Sequence, residues 1–123
     1  MELLLYSADH PVRVRELKAA IRKAAPRQGI AIYKTPDELK VRLLQPRRQL
    51  KIAILKVVSK GDLESLLPLR DLLLDLRVVL ILPDHDGATV SLAHRLGPRY
   101  LSYPENDGED FGRVLGNMIR LYR

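Results

Sequence analysis

The feature that most limits how this chain can fold is an alternation: five short apolar runs, each followed by a segment of helical period. "ELLLYSA" leads into "HPVRVRELKAAIRKAA", "GIAIYKT" into "TPDELKVRLLQP", and "LKIAILKVV" into "GDLESLLPLRDLLLDLR". "RVVLILPD" then leads into "DGATVSLAHRLG", and "RYLSYPE" into a closing segment from about Asp107. Strands joined through helices lie parallel, because the crossover carries the chain back to its starting edge, and that crossover is right-handed. The third and fourth runs are apolar almost throughout, as strands covered on both faces must be. The predicted architecture is therefore α/β, a doubly wound (βα)5 domain with a five-stranded parallel sheet in the order 2-1-3-4-5. Residues 1–123 form a single such domain.

Local signals fix where the helices start and stop. In the first, Val14, Leu17, Ile21 and Ala24 recur on one face while Arg13, Arg15, Lys18, Arg22 and Lys23 point elsewhere. Thr35 is the expected cap of the second, with Pro36 at its first position, Asp37 and Glu38 near the positive end of its dipole, and Pro46 stopping it. The third holds eight leucines between Gly61 and Leu76. Leu69, Leu72, Leu73 and Leu76 share a stripe, and Pro68 predicts an irregular first turn followed by a regular helix. Leu67 and Leu74 are open to either of two uses, core or an exposed partner face. Gly97 is the expected cap after the fourth helix. The closing helix gathers Phe111, Val114, Leu115, Met118, Leu121 and Tyr122 on one face.

Composition removes several classes of function. With no cysteine in the chain, thiol nucleophiles, disulfides and Cys-ligated zinc are excluded. The opening "MELLLYSAD" has too short an apolar run for a signal peptide and carries Glu2 where positive charge belongs, and no 18-residue apolar stretch follows. A cytoplasmic protein without a membrane segment is the expectation. No GxGxxG follows the first strand and no GxxxxGK[ST] occurs, so the glycine turns that bring amides to nucleotide phosphates are missing. No cofactor is expected.

Charge is lopsided. Residues 1–60 hold fourteen Lys and Arg against five acids, whereas residues 61–123 hold seven against ten. Such a dipole steers acidic partners or supports self-association. Arg13, Lys18, Arg22, Lys40, Arg42, Arg47, Arg48 and Lys51 offer a basic surface on the first two helices, able to meet nucleic acid phosphates or an acidic protein. With one Phe and no Trp, an aromatic stacking platform is not in prospect.

In a doubly wound sheet the functional crevice lies beyond the carboxyl ends of the strands. It would collect Asp9 and His10, Lys56 to Lys60, Pro83 to Asp86, and Tyr103 to Glu105. Imidazoles and carboxylates at His10, His85, Asp9, Asp84, Asp86 and Glu105 make a weak metal-dependent enzyme one alternative. No metal-ligand spacing is present, however, and Asp-His-Asp-Gly at 84–87 reads equally as a turn with a helix N-cap. His94 reads as a surface residue.

The strand order and these loop residues together resemble the receiver domain of bacterial response regulators, a CheY-like family. "LLLYSADHPVRV" is similar to that family's first strand, acidic loop and first helix, and "RYLSYPE" to its last strand. The resemblance implies a phosphoacceptor pocket and shows what has become of it. Of the two acids after strand one, the matching positions are Ala8 and Asp9. The phosphoacceptor aspartate at the end of strand three matches Lys56, the hydroxyl at the end of strand four matches about Pro83, and the Lys-Pro pair matches Tyr103 and Pro104. Phosphoryl transfer to a carboxylate requires a nucleophilic oxygen and a hard cation, and an ammonium supplies neither while repelling the cation. A pseudo-receiver without catalytic residues, metal or cofactor is therefore implied, a module of bacterial signal transduction or transcription regulation that binds a protein partner or itself as a homodimer. The surface that receivers use would include His94, Tyr100, Ser102, Arg113 and Arg120. The Lys56 ammonium is expected either against Asp9 in a permanent ion pair or, as lysines at strand ends commonly do, extended into water.

Overall fold

The computed structural model describes residues 2–46, 50–103 and 108–121. Within it the five strands are β1 (Glu2–Ser7), β2 (Gly29–Tyr33), β3 (Leu50–Lys56), β4 (Arg77–Ile81) and β5 (Tyr100–Ser102). They form one sheet in the order β2-β1-β3-β4-β5, every pair parallel. The helices are α1 (Pro11–Ala24), α2 (Pro36–Leu43), α3 (Lys60–Leu66), α4 (Gly87–His94) and α5 (Gly108–Arg120), with a 3₁₀ segment, Leu67–Leu73, between α3 and β4. The predicted topology is the observed one.

Why the central runs are apolar without interruption follows from the register. Leu4, Ala53 and Val78 align across β1, β3 and β4, and their alternate neighbours Leu5, Ile54 and Val79 align one step further on. The first set, with Tyr6, Leu55 and Leu80, points to one face and packs under α2, α3, the 3₁₀ segment and α4. Leu3, Leu5, Ile52, Ile54, Val79 and Ile81 point to the other, under α1 and α5. Both faces are covered, so neither set can be polar.

Capping side chains set the helix starts. His10 accepts the Val12 amide on Nδ1 at 3.2 Å, opening α1. The Thr35 hydroxyl accepts the Glu38 amide at 3.1 Å, while the Glu38 carboxylate reaches back to the Lys34 amide at 3.0 Å. Asp86 caps α4 by accepting the Thr89 amide and hydroxyl, both at 3.2 Å. Gly97 sits at φ +66° just past α4, the left-handed conformation that glycine adopts without a Cβ penalty.

Two expectations are corrected. The leucine-rich segment is regular first and irregular afterwards: Ser59 caps α3 by accepting the Asp62 amide, and the chain tightens to 3₁₀ geometry from Leu67, with Pro68 in that segment's first turn. Proline lacks the amide that would continue the α-helical ladder, which is why the break falls there. On the closing helix, Phe111, Leu115, Met118 and Ile119 are buried, but Leu121 is 65% exposed and so lies off the core stripe; Tyr122 lies outside the described residues. Of the two undecided leucines, Leu67 is half-buried against the core and Leu74 is 71% exposed. Among the described residues, no helix is long and apolar enough to cross a membrane.

Candidate functional site

The carboxyl ends of β1, β3, β4 and β5 open onto a cleft of about 910 Å³. Asp9 and His10 border it from the turn after β1, Lys56 from the end of β3, Pro83 from beyond β4, Ser102 from the end of β5 and Tyr103 from just beyond it. Leu17 of α1 and Phe111 of α5 form its apolar wall.

At the centre, Lys56 Nζ meets Asp9 Oδ2 at 3.1 Å, with about a quarter of the lysine side chain and a seventh of the aspartate still open to solvent. The contact is written into the strand register. Ser7 and Lys56 are partners across β1 and β3, so a residue two positions beyond Ser7 lies over the lysine. By alternation from Ile52 and Ile54, Lys56 points to the α1 side of the sheet, where the β1–α1 turn crosses. That turn is fixed twice more: Ser7 Oγ accepts the Asp9 amide at 3.2 Å, and Asp9 Oδ1 accepts the His10 amide at 2.7 Å. Burial alone would raise the Asp9 pKa. It is outweighed by the His10 amide, the Lys56 ammonium and the more distant Arg13, which together hold the carboxyl below its ordinary range.

Several of the other predicted crevice residues have structural employment. Asp84 accepts the Asp86 amide at 2.9 Å and Asp86 caps α4, so the turn-and-cap reading holds for both. His85 stacks on Tyr103, ring centroids 3.7 Å apart and planes 18° from parallel. Ala8 is exposed and has no ligating atom. Among the described residues no three His, Asp or Glu side chains gather as a metal set. Pro104 and Glu105 lie outside them. The donors described do not fit magnesium, since Asp9 already faces an ammonium and, among the described residues, Glu16 is the one other carboxylate lining the cleft, and no step through a metal follows.

Of the proposed partner surface, His94, Arg113 and Arg120 are exposed and Tyr100 is half-buried against the α1–α5 cluster. Ser102 is a correction. It is 4% exposed, because its side chain points inward to the cleft from a strand hydrogen-bonded through its carbonyl to Leu82, and it is not part of an outer surface. The alternative basic surface is also divided. α1 packs on one face of the sheet and α2 on the other, so Arg13, Lys18 and Arg22 do not share a face with Lys40 and Arg42. Arg42 Nε moreover lies 3.8 Å from Glu2. Arg47 and Arg48 lie outside the described residues.

Asp62, in the first turn of α3, is a residue at this end of the sheet that the sequence reading did not single out. Its Oδ1 accepts the Tyr6 hydroxyl at 2.5 Å, its Oδ2 accepts the Val58 amide at 3.0 Å, and its own amide bonds Ser59 Oγ at 3.1 Å. The signal was present as "SKGD", a reciprocal capping pattern directly after a strand.

No protein-family model matches the chain, and no curated protein does. Solved structures do. A response regulator receiver protein from Pseudoalteromonas atlantica superposes with a TM-score of 0.80 over 100% of both chains at 12% identity. A two-component response regulator from Legionella pneumophila gives 0.78 over 98% of each chain at 17% identity. The fold is that of the response regulator receivers. A pilus assembly-related protein from Burkholderia pseudomallei shares it as well, with a TM-score of 0.72 at 18% identity over 98% of this chain and 87% of that one. The receiver fold accounts for the strand order and the position of the cleft. In this chain the cleft holds an amine at the end of β3 bound to the acid after β1.

Proposed function

We propose that this chain is a pseudo-receiver, a phosphorylation-independent module that acts through contact with a protein partner or a second copy in bacterial signal transduction or transcription regulation. The observation that carries the reading is the 3.1 Å contact between Lys56 and Asp9. Where the receiver fold would offer a nucleophilic oxygen beside a cation site, this cleft offers an ammonium neutralising a carboxylate. An ion pair held in place by the strand register persists without any input, so the domain has one resting shape for partners to read. The α4, β5 and α5 side, with His94, Tyr100, Arg113 and Arg120 on it, supplies the contact surface.

Incubation with acetyl phosphate and magnesium, followed by intact-mass measurement, tests this. The unmodified mass is expected; an added phosphoryl group on an aspartate lining the cleft would overturn it.

A further inference from the structure

The same cleft is large and only partly polar, and it has unused hydrogen-bonding capacity at its centre. Its volume of about 910 Å³ falls within the size of small-molecule sites. An ammonium has three donors, and among the described residues Lys56 shows one contact, to Asp9. Among the described residues each Asp9 oxygen accepts one bond, Oδ1 from the His10 amide and Oδ2 from Lys56, which leaves a lone pair on each. Directly alongside, Leu17, Ala20, Ile81 and Phe111 form an apolar wall.

Charge balance restricts what can enter. A simple anion bound to Lys56 must displace or crowd Asp9, and a simple cation bound to Asp9 must crowd Lys56. Either adds an uncompensated charge to a partly buried site, which is costly. A molecule carrying both an ammonium and a carboxylate can lie beside the pair, its carboxylate on the spare Lys56 donors and its ammonium on the spare Asp9 lone pairs, and orphan nothing. Arg13 and Glu16, also at the cleft, repeat the same pairing of signs at its rim.

We infer that the cleft is a binding site for a small zwitterion with an apolar body, of the class of the apolar α-amino acids, with Lys56 and Asp9 holding the charged end and the Leu17, Ala20 and Phe111 wall holding the side chain. The inference rests on the pseudo-receiver reading, because a phosphorylated cleft would have no place for such a ligand.

The test is a titration of the isotope-labelled protein with L-leucine, L-phenylalanine and L-methionine, followed by amide chemical shifts. Saturable shifts confined to the cleft residues are expected with at least one of the three. Binding should weaken at least tenfold for 4-methylpentanoate, which lacks the ammonium, for isopentylamine, which lacks the carboxylate, and for glycine, which lacks the apolar body. Lys56→Met and Asp9→Asn should each abolish the shifts. Should either fail to fold, Ala20→Leu, which narrows the wall, should weaken binding by a similar factor, and Leu74→Gln at a distant exposed site should not. Absence of saturable shifts at 20 mM of all three amino acids would overturn the inference, as would equal binding of a singly charged analogue or shifts mapping away from the cleft. The pseudo-receiver reading fails separately, through a phosphoryl adduct in the mass spectrum, and survives a negative titration.

Discussion

The hydroxyl of Tyr6 on β1 donates to the carboxylate of Asp62 in the first turn of α3 at 2.5 Å, joining two segments 56 residues apart. The same carboxylate holds the Val58 amide, so one side chain anchors the loop after β3 to the buried centre of the sheet. Hydrogen bonds to charged groups contribute about 1.5–3 kcal/mol, and Tyr6→Phe removes one such bond while leaving the ring packed. Its urea-unfolding free energy should fall by about 1–2 kcal/mol, a loss smaller than that of Asp62→Ala, which removes both bonds to the carboxylate. Equal stability of Tyr6→Phe and the parent would show that the bond contributes nothing.

Tyr6 also predicts behaviour in alkali. Burial, then the hydrogen bond to Asp62 and its negative charge, push the phenol well above its ordinary value of 10.0. A group whose pKa is raised on folding gives stability that is complete below the unfolded value and lost as pH rises above it. The advantage of the parent over Tyr6→Phe should therefore be constant from neutral pH to about pH 9 and shrink above pH 10, as read from urea midpoints at matched ionic strength.

Asp9 has the opposite sign. Its pKa is held below the ordinary 3.8 on folding, so its contribution is present above that value and fades as pH falls through it. The parent should exceed Asp9→Asn by no more than about 1 kcal/mol at pH 6, since the pair is partly solvated. Thermal melts in dilute buffer should show the two converge below about pH 4.

Gly97 and Gly87 separate backbone conformation from packing. A Cβ at either would meet nothing within 4 Å, yet only Gly97 has a positive φ. Gly97→Ala should cost about 1 kcal/mol, and Gly87→Ala, in the first turn of α4, should be neutral or slightly stabilising. Similar losses at both would place the cost elsewhere than in the backbone.

Most of the fold could be read from the chain because both of its determinants are local. Unbroken apolar runs such as Ile52–Leu55 and Val78–Leu82 specify strands covered on two faces, and Thr35-Pro36 or Gly97-Pro98 punctuate the helices between them. The break at Pro68 was legible and its direction was not, since Ser59, three residues before Asp62, supplied a cap that let the helix begin early. The centre of the cleft was legible as two alternatives for Lys56, and the register of Ser7 against Lys56 selects the pair. The inward side chain of Ser102 and the Tyr6–Asp62 bond were not legible, because both depend on the register between neighbouring elements, which the strand order alone does not give.

Whether the cleft retains any affinity for the phosphoryl group and its metal is read most directly by melting temperature with and without magnesium chloride and beryllofluoride together. A ligand that binds the folded state raises stability by mass action, about 2.7 kcal/mol at a hundredfold excess over its dissociation constant. With Lys56 occupying Asp9, the melting temperature should be the same in both conditions. A rise of several degrees, abolished by Asp9→Asn, would contradict the account.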